Sequence, residues 1–409
     1  MLLKKKNTHL IITFIIILFI LFIFILFLFV NKRSNENFSN ENFSNENFSN
    51  EILNSYSDDT INKNYTYYRC NDKVLGKITQ DIFNFNNINQ SNENWDIYVP
   101  CGYNNVEEEL KKIKVNNNKN NKYIFGINGC DSIVSKNKIW ESLVNCYGRK
   151  HASKLMPESY VLNNPDDMIT FKNYFNEFDG NIYILKKNVQ RKEGLKLTRE
   201  YNEIIKGSKD NYRVVQKYIT DLYLINQRKI NLRIYLLIVI KDNNVNFYLC
   251  RKGKCIYTNK KYNDNDFDFE SNITSYNLDM SVYKDSPRYF NELERYIFQN
   301  GNNGKFLFDQ IEKLMKQISI CLSHNLYQSK NIKDTISFQL FGCDVIFDDE
   351  LHPYLLEINK GPDMTPRDEE DEFMKNTVQN DMFKTVGIIP HDNDNNSFYI
   401  VYKKTIEYK

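Results

Sequence analysis

Two carboxylates and one amide lie close together near the end of the chain, in a segment that reads as a β-hairpin. Asp344 lies in an apolar run, an acidic turn follows, and a second apolar run ends with Glu357 and Asn359. Residues two apart on a strand point to one face, so Glu357 and Asn359 share a face, and Asp344 can lie opposite them. These are oxygen ligands suited to Mg²⁺ held jointly with nucleotide phosphates, and carboxylates in apolar strands need such a cation. The alternative is a hairpin with ordinary polar residues at its strand ends.

This hairpin resembles the metal-binding end of the tubulin-tyrosine ligase-like family, whose members are ATP-grasp enzymes. The family pattern is close to F-G-F-D, an acidic turn and L-L-E-x-N, and the chain reads F-G-C-D, an acidic turn and L-L-E-I-N. The resemblance implies that Asp344, Glu357 and Asn359 are Mg²⁺ ligands. It extends over about residues 95–362, because further family motifs follow one another there in the same order.

Four further segments resemble the nucleotide-binding motifs of the family. Y-I-L-K and the glycine loop after it resemble the phosphate-binding lysine strand and its basic loop, and V-Q-K-Y-I resembles the strand that meets the adenine. K-I-N-L-R-I-Y resembles K-F-D-L-R-x-Y, in which the Lys reaches the nucleotide and the Arg its phosphates, and N-I-T-S resembles H-L-T-N. The resemblance implies Arg233 and Lys186 as catalytic residues. It implies nucleotide contacts at Lys138, Lys186, Arg191, Gly194, Gln216, Lys217, Tyr218, Ile219, Lys229, Asn231 and Thr274.

The segments that would bind the second substrate depart more from the family. Y-L-C-R-K-G resembles Y-L-Y-R-E-G and implies a substrate-binding Arg251, but the arginine that usually follows is replaced near Cys255 and Ile256. Asn231 stands where the family has Asp, and Lys187 stands where it has Pro. Nucleotide and metal positions are therefore better kept than acceptor positions.

The resemblance implies a ligase that uses ATP and Mg²⁺ to join a free amino acid to a protein carboxylate, with a tubulin tail among the acceptors. An amide forms from a carboxylate only after activation as an acyl phosphate, so the site must stabilise charge while a phosphoryl group moves. Two alternatives remain. One is a nucleotide-binding pseudoenzyme or interaction protein, and the other is an ATP-grasp ligase for a small molecule.

Apolar runs predict the elements that would position these residues. Strands are expected at residues 95–99, 122–127, 183–186, 212–218, 231–240, 245–250, 336–347 and 353–358. Helices are expected at residues 106–113, 138–148, 166–175 and 290–327, the last broken near 300–304 by Gly and Asn. The lack of a regular βαβ rhythm predicts an α+β fold. The resemblance implies the ATP-grasp type, with the nucleotide held between two α+β subdomains.

The N-terminal part of the chain predicts a membrane anchor and a spacer. Residues 10–30 are apolar except for Thr13, which is long enough to cross a bilayer, and no small-residue cleavage site follows. The repeat S-N-E-N-F then fits neither a helical nor a strand period, which predicts a disordered spacer, and its N-F-S triplets are formal glycosylation acceptors. We expect an anchor at residues 1–33, a disordered Asn-rich linker at 34–94 and the ligase domain at 95–409.

Two opposing observations leave the orientation of this single-pass anchor open. Lys4, Lys5 and Lys6 precede the span, which favours a translocated body. A body that consumes ATP favours the cytoplasm. We therefore expect a membrane protein with a cytoplasmic catalytic domain.

Composition excludes several classes of protein. The 409 residues hold 54 Lys+Arg and 52 Asp+Glu, a net charge of +2, which argues against a nucleic-acid partner. A mean hydropathy of -0.57 excludes a polytopic membrane protein. The 8 Cys form no C-x-x-C pair, which argues against structural zinc. Buried, reduced thiols are expected, although an even count also permits disulfides in an oxidising compartment.

Overall fold

Two β-sheets and the helices around them form the body in the computed structural model, which describes residues 64–70, 73–115, 122–189, 194–274, 277–391 and 396–406. The strands are β1 (Thr66–Tyr68), β2 (Asn89–Gln90), β3 (Ile97–Tyr98), β4 (Lys122–Phe125), β5 (Ser159–Val161), β6 (Tyr183–Lys186), β7 (Leu195–Thr198), β8 (Val214–Lys217), β9 (Leu224–Ile225), β10 (Arg228–Lys241), β11 (Asn244–Tyr257), β12 (Thr335–Phe347), β13 (Pro353–Asn359) and β14 (Phe398–Thr405). The α-helices are α1 (Lys77–Phe85), α2 (Val106–Lys112), α3 (Cys130–Val134), α4 (Lys136–Tyr147), α5 (Arg149–Ala152), α6 (Pro165–Tyr174), α7 (Tyr201–Lys206), α8 (Phe269–Asn272), α9 (Phe290–Gln299), α10 (Gly304–Leu322) and α11 (Glu369–Val386).

Within the described residues, the larger sheet has ten strands and the smaller one has four. The order in the larger sheet is β14-β11-β10-β12-β4-β3-β1-β2, with β13 paired to β12 and β9 to β10. The order in the smaller sheet is β5-β8-β6-β7, and its strands pair antiparallel. The body is thus a mixed α/β fold with two sheets, as an ATP-grasp-like domain requires.

The position of β10 between two hydrophobic cores explains why its sequence is almost continuously apolar. Leu232, Ile234 and Leu236 belong to one hydrophobic core, whereas Leu237 and Val239 belong to a second core on the other face. A strand that is buried on both faces carries apolar residues without alternation. The polar residues of β10 therefore show where one face of the strand no longer packs in a core.

Helices α9 and α10 confirm the predicted break in the long helical segment. The side chain of Asn303 accepts a hydrogen bond from the amide of Phe306 and so caps the start of α10. A Cβ atom at Gly304 would lie 2.5 Å from the carbonyl oxygen of Glu294, so only glycine permits this close approach.

The body includes elements that precede its predicted start at residue 95, namely β1, α1 and β2. Helix α1 packs on α11, where the rings of Phe83 and Phe383 lie 5.2 Å apart between centroids, and the Thr79 hydroxyl donates to Gln379 over 2.6 Å. The predicted linker boundary at residue 94 is therefore wrong for residues 64–70 and 73–94. Buried Ile78 and Ile82 follow a helical period that the surrounding Asn-rich composition obscured.

Four cysteines are paired, in contrast to the expectation of reduced thiols. Cys70 is bonded to Cys101 with Cα atoms 5.5 Å apart, and Cys146 is bonded to Cys321 with Cα atoms 5.9 Å apart. The partners are 31 and 175 residues apart in sequence, so spacing alone could not predict them. The cysteines described as free are buried: Cys130, Cys250, Cys255 and Cys343.

The predicted membrane anchor and the S-N-E-N-F repeat lie outside the described residues and stay predictions. Within the described ranges, every helix is too short or too polar to cross a membrane.

The packing of α1 predicts unequal effects of two phenylalanine substitutions in one helix. Phe83 is fully buried, whereas the side chain of Phe85 is 88% exposed. Phe83→Ala is expected to lower the free energy of unfolding by about 3–5 kcal/mol, because it leaves a cavity between α1 and α11. Phe85→Ala should lower it by less than about 0.5 kcal/mol. Urea unfolding of both variants measures the difference, and equal losses would contradict the docking of α1.

Candidate active site

Four charged residues, here called the charged row, lie side by side across the central strands. Arg233 on β10 is the register partner of Lys254 on β11 and of Asp344 on β12, and Asp344 is the partner of Glu357 on β13. Neighbouring strands are about 4.8 Å apart, so the four side chains follow one another on one face. All four line a cavity of about 1060 Å³. The row runs from two cations to two carboxylates.

A β-bulge in β13 determines which face of the strand carries the metal-ligand candidates. The register of β12 and β13 shifts after the pair of Asp344 and Glu357, so that Leu356 is an extra residue on β13. Leu355 and Ile358 can then both face the same core although they are three residues apart. Glu357 and Asn359 face the cavity, which confirms that they share a face.

The carboxylates of the charged row are held by cations. The guanidinium of Arg233 donates through Nε to Asp344 Oδ1 over 2.6 Å and through Nη2 to Oδ2 over 3.2 Å, a two-pronged contact. Lys136 Nζ lies 3.4 Å from Glu357 Oε2, and the amide of Asn359 donates to Oε1 over 3.2 Å. Burial alone would raise the pKa of Glu357, but Lys136 and Lys186 lower it to about 2.

Two further lysines are buried in the same cavity. Burial lowers the pKa of Lys186 to about 8, although Glu357 opposes that shift. Burial, with a smaller effect from Lys186, lowers the pKa of Lys229 to about 7. Lys229 Nζ donates to the hydroxyl of Tyr218 over 3.0 Å and lies 4.1 Å from the centre of its ring. These depressed pKa values mean that the protein supplies too little negative charge for its own cations, so the cavity suits an anionic ligand.

The other end of the cavity offers apolar walls and hydrogen-bonding groups. Ile184, Leu195 and Ile346 line it from the two sheets. The amide of Gln216 is fixed by donation to Ser159 Oγ over 2.9 Å. Asn231 Nδ2 donates to Thr274 Oγ1 over 2.9 Å, while its buried Oδ1 has no partner. An apolar slot with an unused buried acceptor fits a flat base and a hydroxyl-bearing sugar.

The structure brings most of the predicted nucleotide, metal and catalytic residues into this cavity, and one more borders it. Gly194 is not in its wall but precedes the lining residue Leu195, and its carbonyl accepts from the amide of Lys187 over 2.8 Å. Arg191 lies outside the described residues. The predicted residues that line the cavity are Lys186, Gln216, Lys217, Tyr218, Ile219, Lys229, Asn231, Arg233, Thr274, Asp344, Glu357 and Asn359.

Lys138 is not in the cavity, and Lys136 takes its place. Helix α4 begins at Lys136, two residues earlier than predicted. Two residues on a helix differ by about 200° around its axis, so only one of the two lysines can face the site. Lys136 lines the cavity beside Glu357, whereas Lys138 is exposed. The sequence signal that could have separated them is the Ser135 that precedes the helix.

Arg251 also lies outside the cavity, a position that does not fit its predicted role in binding substrate. On β11, Leu249 and Cys255 face a hydrophobic core. Arg251 is an even number of residues from both, so it lies on the same face of the strand as they do. Its exposed guanidinium lies 4.3 Å from the centre of the Tyr399 ring. The residue of β11 that enters the charged row is Lys254, which sequence reasoning missed.

A mixed sheet, a smaller antiparallel sheet and a cationic cavity with clustered oxygen ligands define an ATP-grasp-like domain. Residues 111–396 match the Tubulin-tyrosine ligase family, and this chain belongs to that family.

Several curated proteins are similar to the chain over much of this body. A protein of Caenorhabditis elegans named as a probable tubulin polyglutamylase is 25% identical over 275 residues, which are 61% of this chain and 63% of that protein. A tubulin polyglutamylase of Mus musculus is 25% identical over 283 residues, 64% of this chain and 21% of that protein. A probable tubulin polyglutamylase of Bos taurus is 30% identical over 186 residues, 43% of this chain and 39% of that protein. The chain therefore spans less than two thirds of the length of each of these relatives.

The two lysines of α4 form a matched pair for testing the site. Lys136→Met removes a cation next to Glu357 and should weaken ATP binding in the presence of Mg²⁺ about tenfold. Lys138→Met removes an exposed lysine and should change the affinity by less than about twofold. Isothermal titration calorimetry measures both affinities. Equal effects of the two substitutions would contradict the placement of Lys136.

Lys229 is expected to take up a proton when ATP binds above neutral pH. Its pKa of about 7 means that it is mostly neutral in the free protein at about pH 8. Bound phosphates favour the charged lysine and raise that pKa, so binding draws a proton from the buffer, whereas at about pH 6 the lysine is already charged. Calorimetry in two buffers of different ionisation enthalpy measures the uptake.

Lys229→Met is the control for this proton uptake. The variant should take up fewer protons than the wild type at about pH 8, with the remainder coming from groups such as Lys186. Equal uptake in both proteins would show that Lys229 does not change its protonation state when ATP binds, which would contradict the prediction.

Proposed function

We propose that the chain is an ATP- and Mg²⁺-dependent ligase that joins the amine of a free amino acid to a carboxylate of a protein. The observation that carries the proposal is the charged row, which places Arg233 between Lys254 and the two carboxylates in a cavity that also holds Lys186 and Lys229. Membership of the tubulin-tyrosine ligase family supports it.

The residues present fit a nucleotide and its metal ion. Among the described residues, ten Lys and Arg but four Asp and Glu line the cavity, which favours a polyanion such as a triphosphate. Asp344, Glu357 and Asn359 supply the hard oxygen ligands that Mg²⁺ takes. A Mg²⁺ ion held by these residues would supply positive charge against the phosphates. The partnerless Oδ1 of Asn231 could accept a hydrogen bond from a ribose hydroxyl.

The reaction needs two steps, and the cations of the cavity serve both. In the first, a carboxylate oxygen of the acceptor bonds to the γ-phosphorus of ATP, and the bond to the ADP oxygen breaks. In the second, the amine nitrogen bonds to the acyl carbon, the carbon–oxygen bond to phosphate breaks, and the amine loses a proton. Negative charge develops on phosphoryl oxygens in the first step, where Arg233, Lys186 and Lys229 stabilise it.

The acceptor and the amino acid are proposed from the relatives. The similar proteins are named as tubulin polyglutamylases, which supports glutamate as the added amino acid and a tubulin tail as the acceptor. Glycine and tyrosine are the other candidates for the amino acid. A small-molecule acceptor and a nucleotide-binding protein without ligase activity are the competing functions.

Glu357 and Glu350 form a matched pair on the same hairpin. Glu357 faces the cavity, whereas Glu350 is exposed in the turn. Glu357→Gln keeps the size of the side chain but removes its charge, so amino-acid-dependent ATP turnover should fall at least about a hundredfold with an unchanged Tm. Glu350→Gln should turn over ATP like the wild type. Turnover is measured as ADP release with and without amino acid.

The same assay separates the competing functions. A radioactive amino acid that appears in acceptor protein supports the proposal, and label in a soluble product indicates a small-molecule ligase. A wild-type protein that binds ATP without amino-acid-dependent turnover is a pseudoenzyme. Absence of any ATP binding in Mg²⁺ would refute the whole proposal.

A further inference from the structure

A second basic cluster lies at the end of the charged row, on the side of Arg233 that is away from the metal-ligand candidates. Lys254 Nζ lies 2.8 Å from Asp371 Oδ1, and Lys375 Nζ lies 2.9 Å from Asp371 Oδ2. Asp371 also accepts from the backbone amide of Arg367 over 3.1 Å. One carboxylate thus holds two ammonium groups, and this trio keeps a net positive charge.

The cluster is built into the fold. Asp371 is fully buried at the start of α11, and the side chains of Lys254 and Lys375 are 10% and 6% exposed. Lys375 also donates to the carbonyl of Thr365 over 2.6 Å, which fixes its position. Buried lysines are rarely kept without a charge to meet, and each ammonium has three donors. Asp371 takes one donor from each lysine, so donors remain for a ligand.

Lys254 and Lys375 both line the cavity that contains the nucleotide and metal site. Tyr235, two residues after Arg233 on β10, lines the same cavity. Lys254 is three strands from Glu357, about 14 Å at the usual strand spacing. A ligand at Lys254 would therefore lie next to Arg233 but apart from the metal ligands.

Resting on the proposed function, we infer that Lys254 and Lys375, spaced by Asp371, bind a carboxylate of the second substrate beside the phosphoryl-transfer centre. A carboxylate suits the site because it is a small planar anion that two ammonium groups can hold together. In the proposed function the nucleotide phosphates already have Lys186, Lys229 and Arg233 as partners. The carboxylate could belong to the free amino acid or to the acceptor side chain, and kinetics separates the two.

The test compares Lys254→Met with Arg251→Gln in the full chain. Both residues lie on β11, but Arg251 is exposed on the opposite face of the sheet. ATP turnover is measured while L-glutamate or an acidic tubulin-tail peptide is varied. Lys254→Met should raise the KM of one of these substrates about tenfold or more and change kcat much less, whereas Arg251→Gln should leave both KM values unchanged.

Each outcome has a defined meaning. A raised KM for L-glutamate assigns the site to the free amino acid, and a raised KM for the peptide assigns it to the acceptor. Unchanged KM values for both substrates in Lys254→Met overturn the inference while the ligase proposal stands. A wild type without turnover overturns the ligase proposal, and this inference with it, before any variant is made.

Lys375→Met provides a second variant if Lys254→Met does not fold. Folding is checked by the Tm and by retained ATP binding. Lys254→Arg keeps the positive charge and should therefore restore part of the substrate affinity that Lys254→Met loses. If the lysine were purely structural, the substrate KM would not depend on this charge.

Discussion

The two-pronged contact between Arg233 and Asp344 is the interaction on which the site depends. Both side chains are largely withdrawn from water, with 21% and 15% exposed. Leaving either charge alone in such a place costs about 3–5 kcal/mol, so each fixes the other. Since Arg233 is on β10 and Asp344 on β12, the pair joins the two central strands, and Lys254 and Glu357 lie on the strands that flank them, β11 and β13. The ion pair therefore constrains both the charge distribution of the cavity and the strand pairing of the sheet.

The two faces of β10 show how the fold accommodates so many charges. One face is apolar from Ile230 to Ile240 and packs in a core, which anchors the strand. The other face is apolar only beyond Tyr235, and before that point Lys229, Asn231 and Arg233 open into the cavity. Substrate anions are the remaining partners of these buried cations. This accounts for the low pKa values of Lys186 and Lys229, which an anionic ligand would raise.

The sequence sufficed for features that local patterns determine. The hairpin of Asp344, Glu357 and Asn359, the long strands and the break before α10 follow from periodicity and from glycine and asparagine. It did not suffice where a position depends on helix phase or strand parity. Whether Lys136 or Lys138 faces the site depends on the residue at which α4 begins. Whether Lys254 or Arg251 faces it depends on the face of β11 that each occupies. The disulfides and the docking of α1 on α11 join segments far apart in sequence, which no local pattern encodes.

The central claim is that the cavity activates a carboxylate by phosphorylation, and oxygen isotope transfer tests it most directly. An acceptor peptide labelled with ¹⁸O in its side-chain carboxylates is incubated with the protein, ATP, Mg²⁺ and L-glutamate, and the released phosphate is analysed by mass spectrometry. The account predicts one ¹⁸O atom in the phosphate for each amide formed, because an acceptor oxygen leaves with the phosphoryl group. Amide formation with unlabelled phosphate would contradict it.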